Sequence, residues 1–160
     1  MNIISHAKET DKNEILELYR SLLHGPAGWD ENYPGAETID YDLSRDALYI
    51  MKNEDKEIIA AISADLDDAV EALTCWSSDL APGAELSRLA IRKDMQNQGL
   101  SKQMMKYAFD ELRKANKKSV HILVMKVHAM ALHSYETLGF RIVGECNLYN
   151  HDYYCMEIEL

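Results

Sequence analysis

The sequence predicts an α+β protein: a mixed but mostly antiparallel sheet of six to seven strands flanked by about four helices. Three observations carry that expectation. Short apolar runs bounded by polar turns recur along the chain and read as strands. From Leu86 to Met125 a strand, a glycine turn, an amphipathic helix and a second apolar strand follow one another. The last residues, Tyr154 to Leu160, alternate apolar and polar side chains as a half-buried strand does. A length of 160 residues suits one domain, 1–160, able to bury a core without disulfide or metal support.

Ile3-Ile4 starts the chain as a short strand. Asp11 with Glu14 three positions on forms a helix-start signal, and Ile15, Leu18, Tyr19 and Leu22 share one helical face. Gly25, Pro26 and Gly28 stop that helix near Leu23, and His24 to Glu37 form a loop holding Trp29, Tyr33 and Pro34. Ile39 and Leu43 mark a second, short helix. Leu48 to Met51 and Ile58 to Ala64 read as two strands joined by the polar turn Asn53 to Asp55. Leu66 to Gly83 is an excursion, acidic at first, with one strand expected near Leu73 to Trp76.

From Glu85 the pattern sharpens. The strand Leu86 to Ile91 enters the glycine turn, and the following helix places Leu100, Met104, Ala108, Leu112 and Ala115 on one face. Val120 to Met125 is almost continuously apolar, as in a strand buried on both faces, so strand, crossover helix and strand form a parallel right-handed unit. A helix over Ala129 to Leu138 ends at Gly139-Phe140, the pattern of a left-handed cap with its apolar contact. Arg141 to Tyr149, a turn at Asn150 to Asp152, and the alternating C-terminal run predict a closing antiparallel hairpin.

Composition narrows the classes. With 47% apolar and 28% charged residues the chain has the make-up of a soluble globular protein. The N-terminus lacks a basic region followed by a long apolar run, and no segment approaches the roughly 20 apolar residues that span a bilayer, so a cytoplasmic location is expected. A net charge of −10 disfavours nucleic acid and anionic membranes and suits a cationic substrate such as an amine, although acidity also serves solubility. Lys114, Lys117 and Lys118 are placed to complement a helix C-terminus. Cys75, Cys146 and Cys155 are odd in number without metal-ligand spacing, and His128 and His133 do not share a helix face, so no metal is expected. An edge strand near the C-terminus offers a surface for a homodimer.

The turn Gln96-Asn97-Gln98-Gly99-Leu100-Ser101 opens the long helix. The first N–H groups of a helix lack intrahelical acceptors and carry the positive end of its dipole, so a turn of this kind suits a phosphate; an ordinary chain reversal uses the same glycine. Taken with Leu89-Ala90-Ile91 before it and Ala131-x-x-x-Tyr135-Glu136-Thr137-Leu138-Gly139-Phe140 after it, the turn resembles that of the GNAT superfamily of N-acetyltransferases. The strong match covers about Glu85 to Val143.

That resemblance implies a GNAT-like acyl-CoA N-acyltransferase fold, acetyl-CoA as co-substrate, and a small-molecule, peptide or protein amine as acceptor. It implies that the backbone of Leu89, Ala90 and Ile91 lines the acetyl and pantetheine arm. The N–H groups of Gln96, Asn97, Gln98, Gly99, Leu100 and Ser101 would hold the pyrophosphate, and Tyr135 would meet the departing thiolate. Two departures stand in the cofactor site: Ser101 replaces the usual Gly or Ala, and His128 replaces a frequent Asn that contacts the cofactor arm. His128 is therefore carried over as a hydrogen-bonding cofactor contact. A coenzyme-binding regulator without catalysis is the alternative on the same fold.

Acetyl transfer to an amine needs a neutral nucleophile, a stabilised oxyanion and a proton for the leaving thiolate. Tyr135 can supply the proton, and a backbone N–H of Leu89 to Ile91 can meet the oxyanion if a local bulge turns it. Glu85, at the strand's beginning, is the candidate base, with a solvated strand-entry role as the other reading. Arg88 offers its planar fork to an acidic group on the acceptor or to a neighbouring acid of the chain. Trp29, Tyr33 and Trp76 are candidate pocket walls, or anchors packing loops onto the core.

Overall fold

The structure is a computed structural model describing residues 1–160. Seven strands form one sheet in the order β1-β2-β3-β4-β5-β7-β6: β1 Ile3–His6, β2 Leu48–Lys52, β3 Ile58–Asp65, β4 Gly83–Ile91, β5 Ser119–Met125, β6 Arg141–Leu148 and β7 His151–Glu159. The helices are α1 Lys12–Arg20, α2 Ala36–Ser44, the single turn α3 Asp68–Glu71, α4 Leu100–Lys114 and α5 Ala129–Leu138. Two compact units result, Met1–Asp65 with Ser87–Glu111, and Leu66–Leu86 with Leu112–Leu160; β4 and α4 each contribute to both.

In the first unit β1, β2 and β3 form an antiparallel meander. α1 lays Ile15, Leu18 and Tyr19 against Ile39 of α2 and Leu48, Ile50 and Ala61 of the strands, and these side chains are buried. Fully burying one aliphatic side chain of this size is worth about 1.5–3 kcal/mol, so this apolar face fixes how the helices lie on the meander. Asp11 differs from the sequence expectation. Its carboxylate accepts from the Lys8 amide at 2.9 Å and pairs with Lys52 at 2.9 Å, whereas Glu14 reaches the Ile58 amide at 2.6 Å. Asp11 is thus the N-cap residue of α1 by position, but its carboxylate serves the turn before the helix and the distant Lys52 instead of the first amides of α1. On α4, Leu100, Met104, Met105, Ala108 and Leu112 are buried, and Ala115 lies exposed beyond the helix end.

In the second unit β4 runs parallel to β5, with Gly83, Ala84 and Glu85 opposite Ser119, Val120 and His121. β7 pairs antiparallel with β5 on one side and with β6 on the other, which makes β6 the edge strand. The hairpin turn is Tyr149-Asn150, both in the left-handed region at φ 54° and 63°, rather than the later turn the polar residues suggested. Two successive left-handed residues match the twist of a two-residue hairpin. Leu73 to Trp76 is not a strand. Asp67 caps α3 by accepting from Ala69 N at 2.9 Å, and the Trp76 indole donates to Val70 O at 2.8 Å, which folds the excursion back upon itself. No helix is long and apolar enough to cross a membrane.

Candidate active site

In the first unit, the second half of β4 leads to the glycine turn. Arg88 sits within the strand at φ +49°, a left-handed residue in a β-strand, and this kinks the chain locally. Beyond it the Arg92 N–H donates to Ile59 O at 2.9 Å. One short 3-10 turn, Lys93–Met95, then brings the chain round, and the Gln96 side-chain amide donates back to Ile91 O at 3.1 Å.

The turn itself has the form of an anion cradle. Asn97 and Gly99 are left-handed, at φ 62° and 80°, and alternation of this kind points successive N–H groups to one side. Gln96 N–H reaches Lys93 O at 3.5 Å and Gln103 N–H reaches Gly99 O at 3.3 Å; the amides of residues 97 to 102 between them donate to no backbone carbonyl. They lie at the N-terminus of a helix of 15 residues whose first turn contains no acid. A Cβ built on Gly99 meets nothing within 4 Å, so the glycine serves its positive φ and leaves open space in front of the amides. Neutral donors, a helix dipole and an unfilled approach fit a diphosphate.

Arg88 points its side chain inward. Nη2 donates to both oxygens of Asp42, at 2.8 and 2.9 Å, and Nη1 donates to the Tyr33 hydroxyl at 2.9 Å. Burial would pull the guanidinium pKa down, but Tyr33 and Asp42 outweigh it and raise it further. Of the two readings of Arg88, the structure displays the pairing with an acid of the chain. Trp29 takes the anchor role: it is 7% exposed and packs edge-on against Tyr19 at 5.4 Å, so it lines no open wall. Tyr33 is 46% exposed.

In the second unit, Tyr135 lies half-buried on α5, edge-on to Phe140 at 5.7 Å. Gly139, at φ 106°, caps the helix, and Phe140 N–H donates to Tyr135 O at 3.1 Å. Burial raises the phenol's pKa, so the group stays a proton donor through the neutral range. His128 is the N-cap residue of α5; its ring makes no capping bond, and its backbone N–H donates to Met125 O at 2.9 Å. Glu85 is half-buried on β4, in register with His121 and therefore on the same face of the sheet. His121 is buried, bonded to Glu71 and stacked at 4.6 Å on Trp76, which makes Trp76 an anchor also. Glu157, in register with His121 across β7, is buried and accepts from the Ser77 amide at 3.1 Å.

Sequence reasoning missed Asp42, His121 and Glu157 as buried polar groups. Each had a signal: Asp42 stands three residues after Ile39 on the apolar face of its helix, His121 interrupts an apolar run, and Glu157 stands between Met156 and Ile158.

The sequence profile of the acetyltransferase (GNAT) family matches residues 13–140. The chain belongs to the GNAT family. No curated protein matches it. Among solved structures, this GNAT chain is similar to the ribosomal-protein-S18-alanine N-acetyltransferase of Escherichia coli, at TM-score 0.76 and 20% identity, covering 99% of this chain and 94% of that one. It is similar to the PaiA N-acetyltransferase of Thermoplasma acidophilum in complex with coenzyme A, at TM-score 0.76 and 15% identity, covering 100% and 99%. YncA of Salmonella typhimurium with its cofactor acetyl-CoA gives TM-score 0.74 and 18% identity, covering 99% and 94%. At these identities the likeness is one of fold, and the mixed seven-stranded sheet is that of the acyl-CoA N-acyltransferases.

Proposed function

We propose that this GNAT chain moves the acetyl group of acetyl-CoA to a primary amine by direct attack in a ternary complex. The observation that carries the reading is the row of amides from 97 to 102, left without backbone acceptors at the head of α4 with open space before Gly99. Family membership supplies the reaction class. When bound, the coenzyme supplies an activated acetyl thioester. The chain's own residues bind and orient: the 96–101 turn holds the diphosphate, and Leu89, Ala90 and Ile91 line the acyl arm. Glu85 would accept the proton of the incoming ammonium, a backbone N–H beyond the Arg88 kink would face the acyl oxygen, and Tyr135 Oη would give a proton to the leaving sulfur and regain one from the new amide nitrogen. Holding both reactants in one orientation supplies much of the acceleration.

The test is free-thiol release from acetyl-CoA over a panel of small amines, amino acids, peptides and proteins. Turnover is expected with at least one class, and Tyr135→Phe is expected to lower kcat by about 10²-fold while leaving acetyl-CoA affinity unchanged. A native protein that binds acetyl-CoA but releases no thiol with any acceptor would instead be a coenzyme-binding regulator.

A further inference from the structure

We infer that Asp42 is a positioning residue, which acts through the Arg88 guanidinium to hold the left-handed kink in β4. In catalytic terms the inference rests on the acetyl-transfer reading, because the backbone just beyond the kink is the stretch assigned there to the acyl arm.

An L residue at φ +49° inside a strand persists only where its surroundings over-determine it. Arg88 has such surroundings. Its Nη2 is shared between both Asp42 oxygens at 2.8 and 2.9 Å, and its Nη1 is fixed at 2.9 Å by Tyr33. Nε is buried without an acceptor, so the grip comes wholly from the terminal nitrogens. Asp42 is itself immobile. Its side chain is 0% exposed, Oδ2 also accepts from Ser63 Oγ at 2.7 Å, and its carbonyl takes the amides of Arg45 at 3.2 Å and Ala47 at 2.9 Å. One carboxylate therefore ties α2, β3 and the kinked strand together. A buried ion pair of this kind contributes little net stability against an apolar replacement, but breaking one side leaves a buried charge unmatched, which fits a device for holding a conformation. It also explains why Arg88 is a charged residue pointing inward from a strand.

Glycine adopts positive φ without penalty and alanine does not, which separates the kink from the side chain that holds it. Asp42→Asn/Arg88→Gly and Asp42→Asn/Arg88→Ala remove the same charges and differ in that preference. The alanine pair is expected to show a kcat about 30-fold or more below that of the glycine pair, with KM for acetyl-CoA little different between the two. Asp42→Asn alone should lose activity as the alanine pair does. Crystal structures supply the second readout: residue 88 is expected at positive φ in the glycine pair and at negative φ in the alanine pair and in Asp42→Asn. If Asp42→Asn does not fold, the two double variants decide alone. Equal kcat in the two pairs, or residue 88 still left-handed in Asp42→Asn or in the alanine pair, overturns the inference. Should the native protein release no thiol, the acetyl-transfer reading fails, and the φ of residue 88 still decides whether Asp42 holds the kink.

Discussion

His6 of β1 stands between two carboxylates, with Nδ1 at 2.9 Å from Asp46 and Nε2 at 2.6 Å from Glu111, and its ring lies 4.9 Å from that of Tyr49. Burial draws its pKa down, but the bonds to Asp46 and Glu111 prevail and the value is raised above the ordinary one. A group whose folded pKa exceeds its unfolded pKa favours the folded state while protonated. That contribution is fully present below about pH 6.5, the unfolded value, and is lost as pH rises through the folded value. His6→Gln, neutral at every pH, should therefore lower Tm more at about pH 6 than at about pH 9. A Tm difference that stays constant across this range would show that the two carboxylates do not favour the imidazolium. Tyr135 belongs to the same scale with the opposite consequence: its raised pKa keeps the phenol protonated, so the proton-donor role proposed for it should persist through the neutral range and fail only on the alkaline side.

Elements are held at their crossings by close approaches that leave no room for a methyl group. Gly144 of β6 faces Cys75 of the excursion, and a Cβ there would stand 2.7 Å from the Cys75 Cβ and 3.3 Å from its Sγ. Gly144→Ala is expected to cost about 1–3 kcal/mol by overpacking, read as a fall of several degrees in Tm. Cys75→Gly in that background removes the opposing atoms and should return part of the loss. An unchanged Tm in Gly144→Ala would mean that the excursion shifts freely. This crossing also marks where sequence reading stopped. α4, α5 with its Gly139 cap and the β6–β7 hairpin were legible because their signals are local: a helical period, a left-handed glycine, an alternating run. The excursion was not, since Leu73 to Trp76 has a strand's composition while its conformation is set by Val70 and His121, distant or out of phase in sequence. In the candidate site, the 96–101 turn and Tyr135 were legible as contiguous motifs. The kink at Arg88 was not, because an arginine at positive φ has no sequence signature, and its partner Asp42 lies 46 positions away.

At the scale of the whole molecule, the chain's charge opposes the ligand proposed for it. A protein of net charge −10 repels an anionic coenzyme at long range. The cradle at 97 to 102 answers with neutral backbone donors and a helix dipole at short range. The two terms respond differently to salt. Repulsion from charges spread over the surface is screened beyond about 8–10 Å at physiological ionic strength, whereas hydrogen bonds to a bound diphosphate are not. Acetyl-CoA affinity should therefore hold steady or rise between about 0.05 and 0.3 M salt, where a site built from Lys and Arg side chains would lose affinity. Mass action gives a second measure of the same binding. At a ligand concentration of about 100 Kd, a ligand that binds only the folded state adds about 2.7 kcal/mol, which for a domain of this size raises Tm by about 5–10 °C. Gly99→Val puts a branched side chain in the open space before the amides and strains a φ of 80°; it should abolish that rise while leaving the ligand-free Tm within a few degrees. A native Tm indifferent to acetyl-CoA, or an affinity that falls steeply with added salt, would show that backbone amides at the head of α4 are not what holds the coenzyme.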